Sequence, residues 1–299
     1  MEVRVQVPAS SANLGPGFDC LGLALGLYNR LTVREADCLR IETDGDSPFV
    51  PRDGSNLVVV AMKRAYAEAG RPFPNLYLHQ SDDIPLSRGL GSSAAAIVAG
   101  LAAANALLGN PFDQPQLLRM ATGIEGHPDN VAACLYGGLT AAVAQDGDVL
   151  CVRALPSPRY AFAALLPHYD LSTRKARAVL PARYSRADAV FNVGHAVLMY
   201  AALEQGRDDV LRRACEDRLH QDYRKALIPG WDDVLSLAWR HGALSVFLSG
   251  AGPTVLAVYP AQDALFVPRL TEGLAQDAHR WRALALRCSA EGARVLSDS

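Results

Sequence analysis

Hydrophobic and polar positions alternate from the start of the chain. Val3, Val5 and Val7 are separated by Arg4 and Gln6, which predicts a strand ended by Pro8. Apolar-rich stretches at Leu21 to Val33, Leu39 to Thr43 and Asn75 to Gln80 predict further strands, with Asp44-Gly45-Asp46 as a turn. Helical spacing takes over at Ser55-Asn56-Leu57, a cap opening a helix to about Ala69 that Gly70 and Pro72 close. Ala94 to Leu108 is an Ala-rich helix with Ser92 or Ser93 as its N-cap and Gly109 and Pro111 as its stop. Another helix covers Gln114 to Ile124, followed by a strand at Leu139 to Ala144 and a hairpin turn at Asp146-Gly147-Asp148.

The later part of the chain reads in the same way. A strand is predicted at Tyr160 to Leu166, then a basic helix from Arg174 to Leu180, opened by Ser172-Thr173 and ended by Pro181. Helices follow at Ala187 to Leu203, Asp208 to Leu219 and Trp231 to Arg240, the last after Pro229-Gly230. Strands at Leu244 to Leu248 and Val255 to Tyr259, a helix at about Ala261 to Ala275 and a strand at Arg282 to Arg287 complete the pattern. Strands and helices interleave without the regular βαβ order of a doubly wound sheet. The prediction is therefore an α+β fold with helices packed on mixed sheets. Pro156-Ser157-Pro158 breaks the pattern and marks a boundary between 1–156 and 157–299.

Composition narrows the class. The 299 residues are half hydrophobic and 20% charged, with a formal net charge of -2, enough for two cores. Dispersed Lys and Arg at near-neutral charge argue against a nucleic-acid or membrane surface as the main partner. Six scattered cysteines without a Cys-x-x-Cys pair read as buried free thiols of a reducing compartment. The N-terminus reads as a strand rather than a signal peptide, and the Ala-rich run is too short to span a bilayer. A cytoplasmic protein is expected.

The chemistry gathers in loops. Pro85-Leu86-Ser87-Arg88-Gly89-Leu90-Gly91-Ser92-Ser93-Ala94-Ala95-Ala96 runs glycines and serines straight into a helix start. Such a start offers unpaired N–H groups and a positive dipole end, a ready anion site, although a plain glycine turn would look the same. No Gly-Lys-Ser/Thr follows, so this is not the Walker pattern. Ala9 to Asp19 is a tight loop whose polar groups are Asn13 and Asp19, either site residues or side-chain turns. Glu125-Gly126-His127-Pro128-Asp129-Asn130-Val131 packs two acids, a His and an Asn around a glycine and a proline. Nothing supplies the other ligands of a zinc site there. A magnesium ion, needing a carboxylate or two plus nucleotide oxygens, could use Glu125. Arg174, Lys175 and Arg177 form either a solvated helix face or a site. Ser249 to Thr254 is a second glycine loop between strands.

Taken together, Pro8 to Asp19, Pro85 to Ala96 and Ser249 to Thr254 resemble the three motifs of the GHMP kinases. Within that superfamily the wording of Pro8 to Asp19, Glu125 to Val131 and Leu227-Ile228-Pro229-Gly230 is similar to the homoserine kinase family. The resemblance implies a two-domain fold, with an N-terminal domain like ribosomal protein S5 domain 2 and a ferredoxin-like C-terminal domain. It also implies ATP with its phosphates over Pro85 to Ala95, Asn56 in the segment lining the adenine pocket, and Ser93 and Glu125 as Mg2+ ligands. L-Homoserine would lie among Asn13, Asp19, His127, Arg177 and Arg224, and a homodimer is possible. Chemically, the zwitterion's carboxylate wants a guanidinium and its ammonium a carboxylate. Asn130 stands near the place of the catalytic Asp of mevalonate and galactose kinases, so Glu125 and Asn130 are the residues expected at the reacting centre. No general base is assigned; Asp129 is the candidate, and direct proton loss to the phosphate is the family's account. His220-Gln221-Asp222-Tyr223-Arg224 departs from the family wording, where Glu-Pro precedes the aromatic residue and Arg.

The expected activity is thus phosphorylation of the side-chain hydroxyl of L-homoserine to O-phospho-L-homoserine, in threonine biosynthesis. The alternatives are another GHMP kinase acting on a mevalonate-like or sugar substrate, and a non-catalytic ligand sensor on the same fold.

Overall fold

The computed structural model describes residues 2–44, 50–275 and 279–296. Gly45 and Asp46 of the expected Asp44-Gly45-Asp46 turn lie outside them. Strand β1 (Glu2–Asn13) pairs antiparallel with β2 (Gly17–Glu35). Pro8 does not end β1. It sits opposite Tyr28, and the register shifts after it, because a residue without an N–H interrupts a ladder as a bulge more readily than it ends a strand. The expected loop from Ala9 therefore shrinks to the few residues between Asn13 and Gly17. β3 (Arg40–Thr43), α1 (Leu57–Glu68) and β4 (Leu76–Asp82) follow, with β4 between β2 and β3.

Next come α2 (Ser92–Leu107), α3 (Gln114–Glu125) and α4 (Asp129–Tyr136). α4 is absent from the sequence pattern, where Pro128 and the charges read as a helix-ending turn; Pro128 instead stands at the N-cap of a new helix. The hairpin β5 (Leu139–Gln145) and β6 (Asp148–Ala154) joins the first sheet through β2. Among the described residues this sheet has seven strands, and its β1 edge is covered by β11 (Arg294–Leu296), a strand too short to be read from sequence.

The second sheet has the order β10-β7-β9-β8, all antiparallel: β7 (Tyr160–Leu166), β8 (Ser245–Leu248), β9 (Val255–Pro260) and β10 (Arg282–Leu286). Between β7 and β8 lie α5 (Thr173–Ala178), α6 (Arg186–Gln205), α7 (Asp208–Ala214), α8 (Gln221–Arg224) and α9 (Trp231–Arg240); α10 (Phe266–Leu274) precedes β10. Every residue of β7 is buried, for a specific reason. Phe162, Ala164 and Leu166 face the first core, while Ala161, Ala163 and Leu165 pack with Trp231, Val234 and Phe266 in the second. A strand walled on both faces has no use for polar alternation. α7 is shorter than expected, since Asp217 accepts hydrogen bonds from the backbone of Leu219, His220 and Gln221 and starts a new turn. Among the described residues, no helix is long and apolar enough to cross a membrane.

Candidate active site

The loop between β4 and α2 is shaped by residues held at positive φ. Gly89 (φ 79°) and Gly91 (φ 72°) leave no room for a side chain. A Cβ on Gly91 would stand 2.0 Å from Ser10 Oγ, and one on Gly89 would stand 2.4 Å from the Ser249 carbonyl oxygen. The N-cap of α2 is Gly91, not Ser92 or Ser93, and no side chain caps the helix. Its first-turn amides thus keep their hydrogen-bonding capacity at the positive end of a 16-residue dipole. Ser93, released from capping, donates from Oγ to Glu125 Oε2 at 2.8 Å. Burial pushes the Glu125 carboxyl up in pKa despite that hydrogen bond. Arg88 ties the loop to the second sheet, donating from Nε to Asp170 (2.6 Å) and from Nη2 to the His168 carbonyl (3.2 Å).

The other two glycine-bearing segments meet this loop. Asn13 Nδ2 donates to the Gly250 carbonyl at 2.8 Å, and the Gly250 N–H donates to the Ala12 carbonyl at 2.9 Å. Ser249 Oγ lies 2.6 Å from the Gly89 carbonyl, which can only accept, and 2.8 Å from Ser11 Oγ. Ser10 Oγ donates to Asn130 Oδ1 at 2.8 Å. Three segments far apart in sequence are therefore one hydrogen-bonded unit. Ser249 to Thr254, a common turn by its local sequence, is the piece that joins them.

Beside this unit lies a charged cluster. Asp19 and Arg177 form a two-pronged ion pair, Nη1 to Oδ2 at 3.0 Å and Nη2 to Oδ1 at 2.5 Å. His127 Nδ1 lies 2.6 Å from Asp129 Oδ1, so the Nε2 edge is what the ring can offer a ligand. Burial opposes the protonated ring, but the Asp129 hydrogen bond and charge outweigh it and raise the His127 pKa. Arg224 is 1% exposed and, among the described residues, has no carboxylate within ion-pair distance. Burial, then the nearby Arg177 charge, lower its pKa to about 10. A buried guanidinium without a counter-ion is expensive and awaits an anion. The Phe18 ring lies near both arginines, 5.6 Å from Arg177 Cζ and 5.2 Å from Arg224 Cζ.

Parts of this unit and of the charged cluster line one cleft of about 340 Å³. Leu86, Ser87, Arg88, Gly89, Gly91, Ser92 and Ser93 line it, as do Glu125, His127, Asp129 and Asn130. Asn13 and Arg224, both hydrogen-bonded to the Gly250 carbonyl, also line it, with Arg177 and Asn56.

Residues 56–138 match the model of the GHMP kinases N-terminal domain, and residues 199–269 that of the GHMP kinases C-terminal domain. A homoserine kinase of Desulfitobacterium hafniense is 43% identical over 296 residues, covering 98% of this chain and 100% of the relative. The chain belongs to the homoserine kinase family. A second such kinase, from Caldicellulosiruptor bescii, is 41% identical across 99% of this chain and 97% of its own. The crystal structure of homoserine kinase from Cytophaga hutchinsonii superposes with a TM-score of 0.88 at 29% identity, covering 99% of this chain and 97% of that one. Mevalonate diphosphate decarboxylase from Staphylococcus aureus, at 15% identity and a TM-score of 0.73, covers 99% of this chain and 98% of its own and shares the fold alone. The fold is the two-domain GHMP kinase fold expected from the three motifs.

Some residues of the homoserine kinase motifs stand back from the cleft. Leu90, Ala94 and Ala95 are fully buried behind it, and Pro85 lines a neighbouring depression with Arg280 and Arg282. Asp19 borders the cleft through Arg177. Asn56 is held on three sides: Oδ1 accepts from the Val58 N–H, and Nδ2 donates to Pro51 O and Gln80 Oε1. Gln80 and Asp82 of β4, Leu171, and Ser172 and Thr173 at the start of α5 also line the cleft, and the sequence pattern does not reveal them. They are isolated positions in a strand and a cap, with no local signal to mark them. Ser93 and Glu125 pair hard oxygen donors, one on a half-buried carboxyl, which suits a magnesium ion. The Asp19, His127 and Asp129 ligand atoms also fall within 4.8 Å of one another, but Arg177 already neutralises Asp19, and His127 and Asp129 are each other's partners.

Proposed function

We propose that this protein transfers the γ-phosphoryl group of ATP to the side-chain hydroxyl of L-homoserine. One observation carries the reading: Arg177 and Arg224, receptors for a carboxylate, share a cleft with an uncapped helix start, and Asp19 borders that cleft through its ion pair with Arg177. Asp19 takes the ammonium, Arg177 and Arg224 take the carboxylate, and the amides at Ser92 and Ser93 face the phosphates. His127 Nε2 and the Asn130 side chain orient the acceptor hydroxyl between them. Ser93 and Glu125 would hold a magnesium ion, which when bound neutralises phosphate oxygens.

Such a transfer depends on positioning and charge neutralisation, with little covalent work for the protein. Asp129 does not serve as base in this reading: it is 1% exposed and committed to His127 and to the Asn130 N–H. The hydroxyl proton passes to the phosphate. The chain divides into lobes at 156/157, and the cytoplasm supplies both substrates. A coupled ADP-release assay across homoserine, mevalonate and galactose tests the reading. Turnover with homoserine alone is expected. Turnover with mevalonate or galactose instead would move the protein elsewhere in the superfamily, and none with any of the three would make it a sensor.

A further inference from the structure

We infer that His220 is a positioning residue for the Arg224 guanidinium, acting as a neutral Nε2–H tautomer that presents a hydrogen-bond acceptor to it. The inference rests on the assignment of Arg224 to the substrate carboxylate. His220 is completely buried, and its Nε2 lies 2.7 Å from the Gly15 carbonyl oxygen. A carbonyl only accepts, so Nε2 carries the proton and Nδ1 is left with a lone pair. Arg224 Nη1 lies 3.3 Å from that Nδ1. An imidazolium, or the other tautomer, would set N–H against N–H at this distance, and burial holds the His220 pKa below its ordinary value.

The same geometry fixes what Arg224 has left for a ligand. Nε donates to the Ala176 carbonyl at 3.2 Å, and Nη1 also donates to the Gly250 carbonyl at 3.2 Å. With Nε and both Nη1 protons engaged, Nη2 is the nitrogen that meets the carboxylate, end-on rather than as a fork. The two-pronged role falls to Arg177, which already makes such a contact with Asp19. His220 is itself held from outside the site. Its ring stacks on Phe18 at 5.3 Å, and Asp217 Oδ2 accepts its backbone N–H at 2.9 Å. Asp217 Oδ1 in turn accepts from Asn192 Nδ2 at 2.7 Å, with the Asp217 side chain fully buried. This segment departs from the family wording, and its local pattern gives no sign of what His220 does.

Two substitutions separate the two hydrogen bonds of the ring. His220→Gln can keep a donor toward Gly15 but offers no acceptor to Arg224, whereas His220→Asn can keep an acceptor at the Nδ1 position and loses the reach to Gly15. The expected result is a KM for homoserine raised on the order of tenfold or more in His220→Gln, with KM for ATP unchanged, and substantial recovery in His220→Asn. Equal damage in both variants, or a rise in both KM values together, would reduce His220 to loop packing and overturn the inference. The 15N spectrum of the wild-type imidazole needs no variant: the Nε2–H neutral tautomer at neutral pH supports it, and an imidazolium or Nδ1–H form refutes it. Wild-type turnover with homoserine is measured first, so that failure of the substrate assignment is seen separately.

Discussion

Replacing Asp19 by Asn puts two opposing effects in one measurement. The substitution is nearly isosteric, and Asn tolerates the left-handed backbone that Asp19 adopts at φ 54°. It removes the carboxylate from Arg177 and from the substrate ammonium alike. Freeing Arg177 favours binding, since homoserine need no longer displace an ion pair. That pair has side chains 33% and 37% exposed, so solvent screening limits it to about 0–1 kcal/mol. Losing the carboxylate opposes binding by the strength of a charge-assisted hydrogen bond, about 1.5–3 kcal/mol. The second effect wins by about 0.5–3 kcal/mol, which raises KM for homoserine roughly 2- to 150-fold. Steady-state ADP release with homoserine varied at saturating ATP, then the reverse, reads both KM values. The KM for ATP should hold, and the melting temperature should change little. A lower KM for homoserine would mean that Asp19 only blocks Arg177, and the ammonium assignment would fall.

Arg177→Ala should likewise raise KM for homoserine at least about tenfold while leaving KM for ATP intact; unchanged homoserine kinetics would remove it from the site. Glu125→Gln keeps the hydrogen-bond geometry to Ser93 but removes a half-buried charge, so kcat should fall at least about a hundredfold with no loss in melting temperature. Full activity at ordinary magnesium would exclude Glu125 as a ligand. Gly91→Ala must carry a side chain at φ 72° into Ser10, and urea unfolding should show a loss of at least about 1–2 kcal/mol. A neutral result would disprove the close approach. The folded chain raises His127 above its ordinary 6.5, so the stabilisation is complete below that value and fades as pH climbs through the folded pKa. The melting-temperature gap between wild type and Asp129→Asn should therefore narrow as pH rises above about 6.5; a widening gap would contradict the assignment.

The helices were legible where caps and periodicity agree, as at Asn56 for α1 and Ser172 for α5, whose side chains do cap them. The Pro85 to Ala96 loop was legible as a glycine-rich helix start, but its cap differs from the one the sequence predicts. Serine propensity points to Ser92 or Ser93, whereas tertiary contact with Ser10 demands a glycine at the N-cap. α4 and β11 escaped for opposite reasons: Pro128 looks like a terminator locally, and three residues cannot carry a period. The site residues came from motif resemblance. Their mutual pairing, Asp19 with Arg177 and His127 with Asp129, depends on side-chain reach across elements that no single-sequence pattern encodes.

β11 has a bearing on how the chain is made. Residues 288–296 return to the first sheet: the Ser289 carbonyl accepts from Gly138 N–H, Ala293 N–H donates to Cys134 O, and Val295 stands opposite Val5. A ribosome therefore releases the first lobe with one border strand still bare, and that border stays open until residues 294–296 have been made. An isolated fragment ending after β6 would present the naked edge of β1 to its own copies, where it invites strand addition. The first sheet is thus exposed for longer during synthesis, and residues 294–296 are its closing stitch.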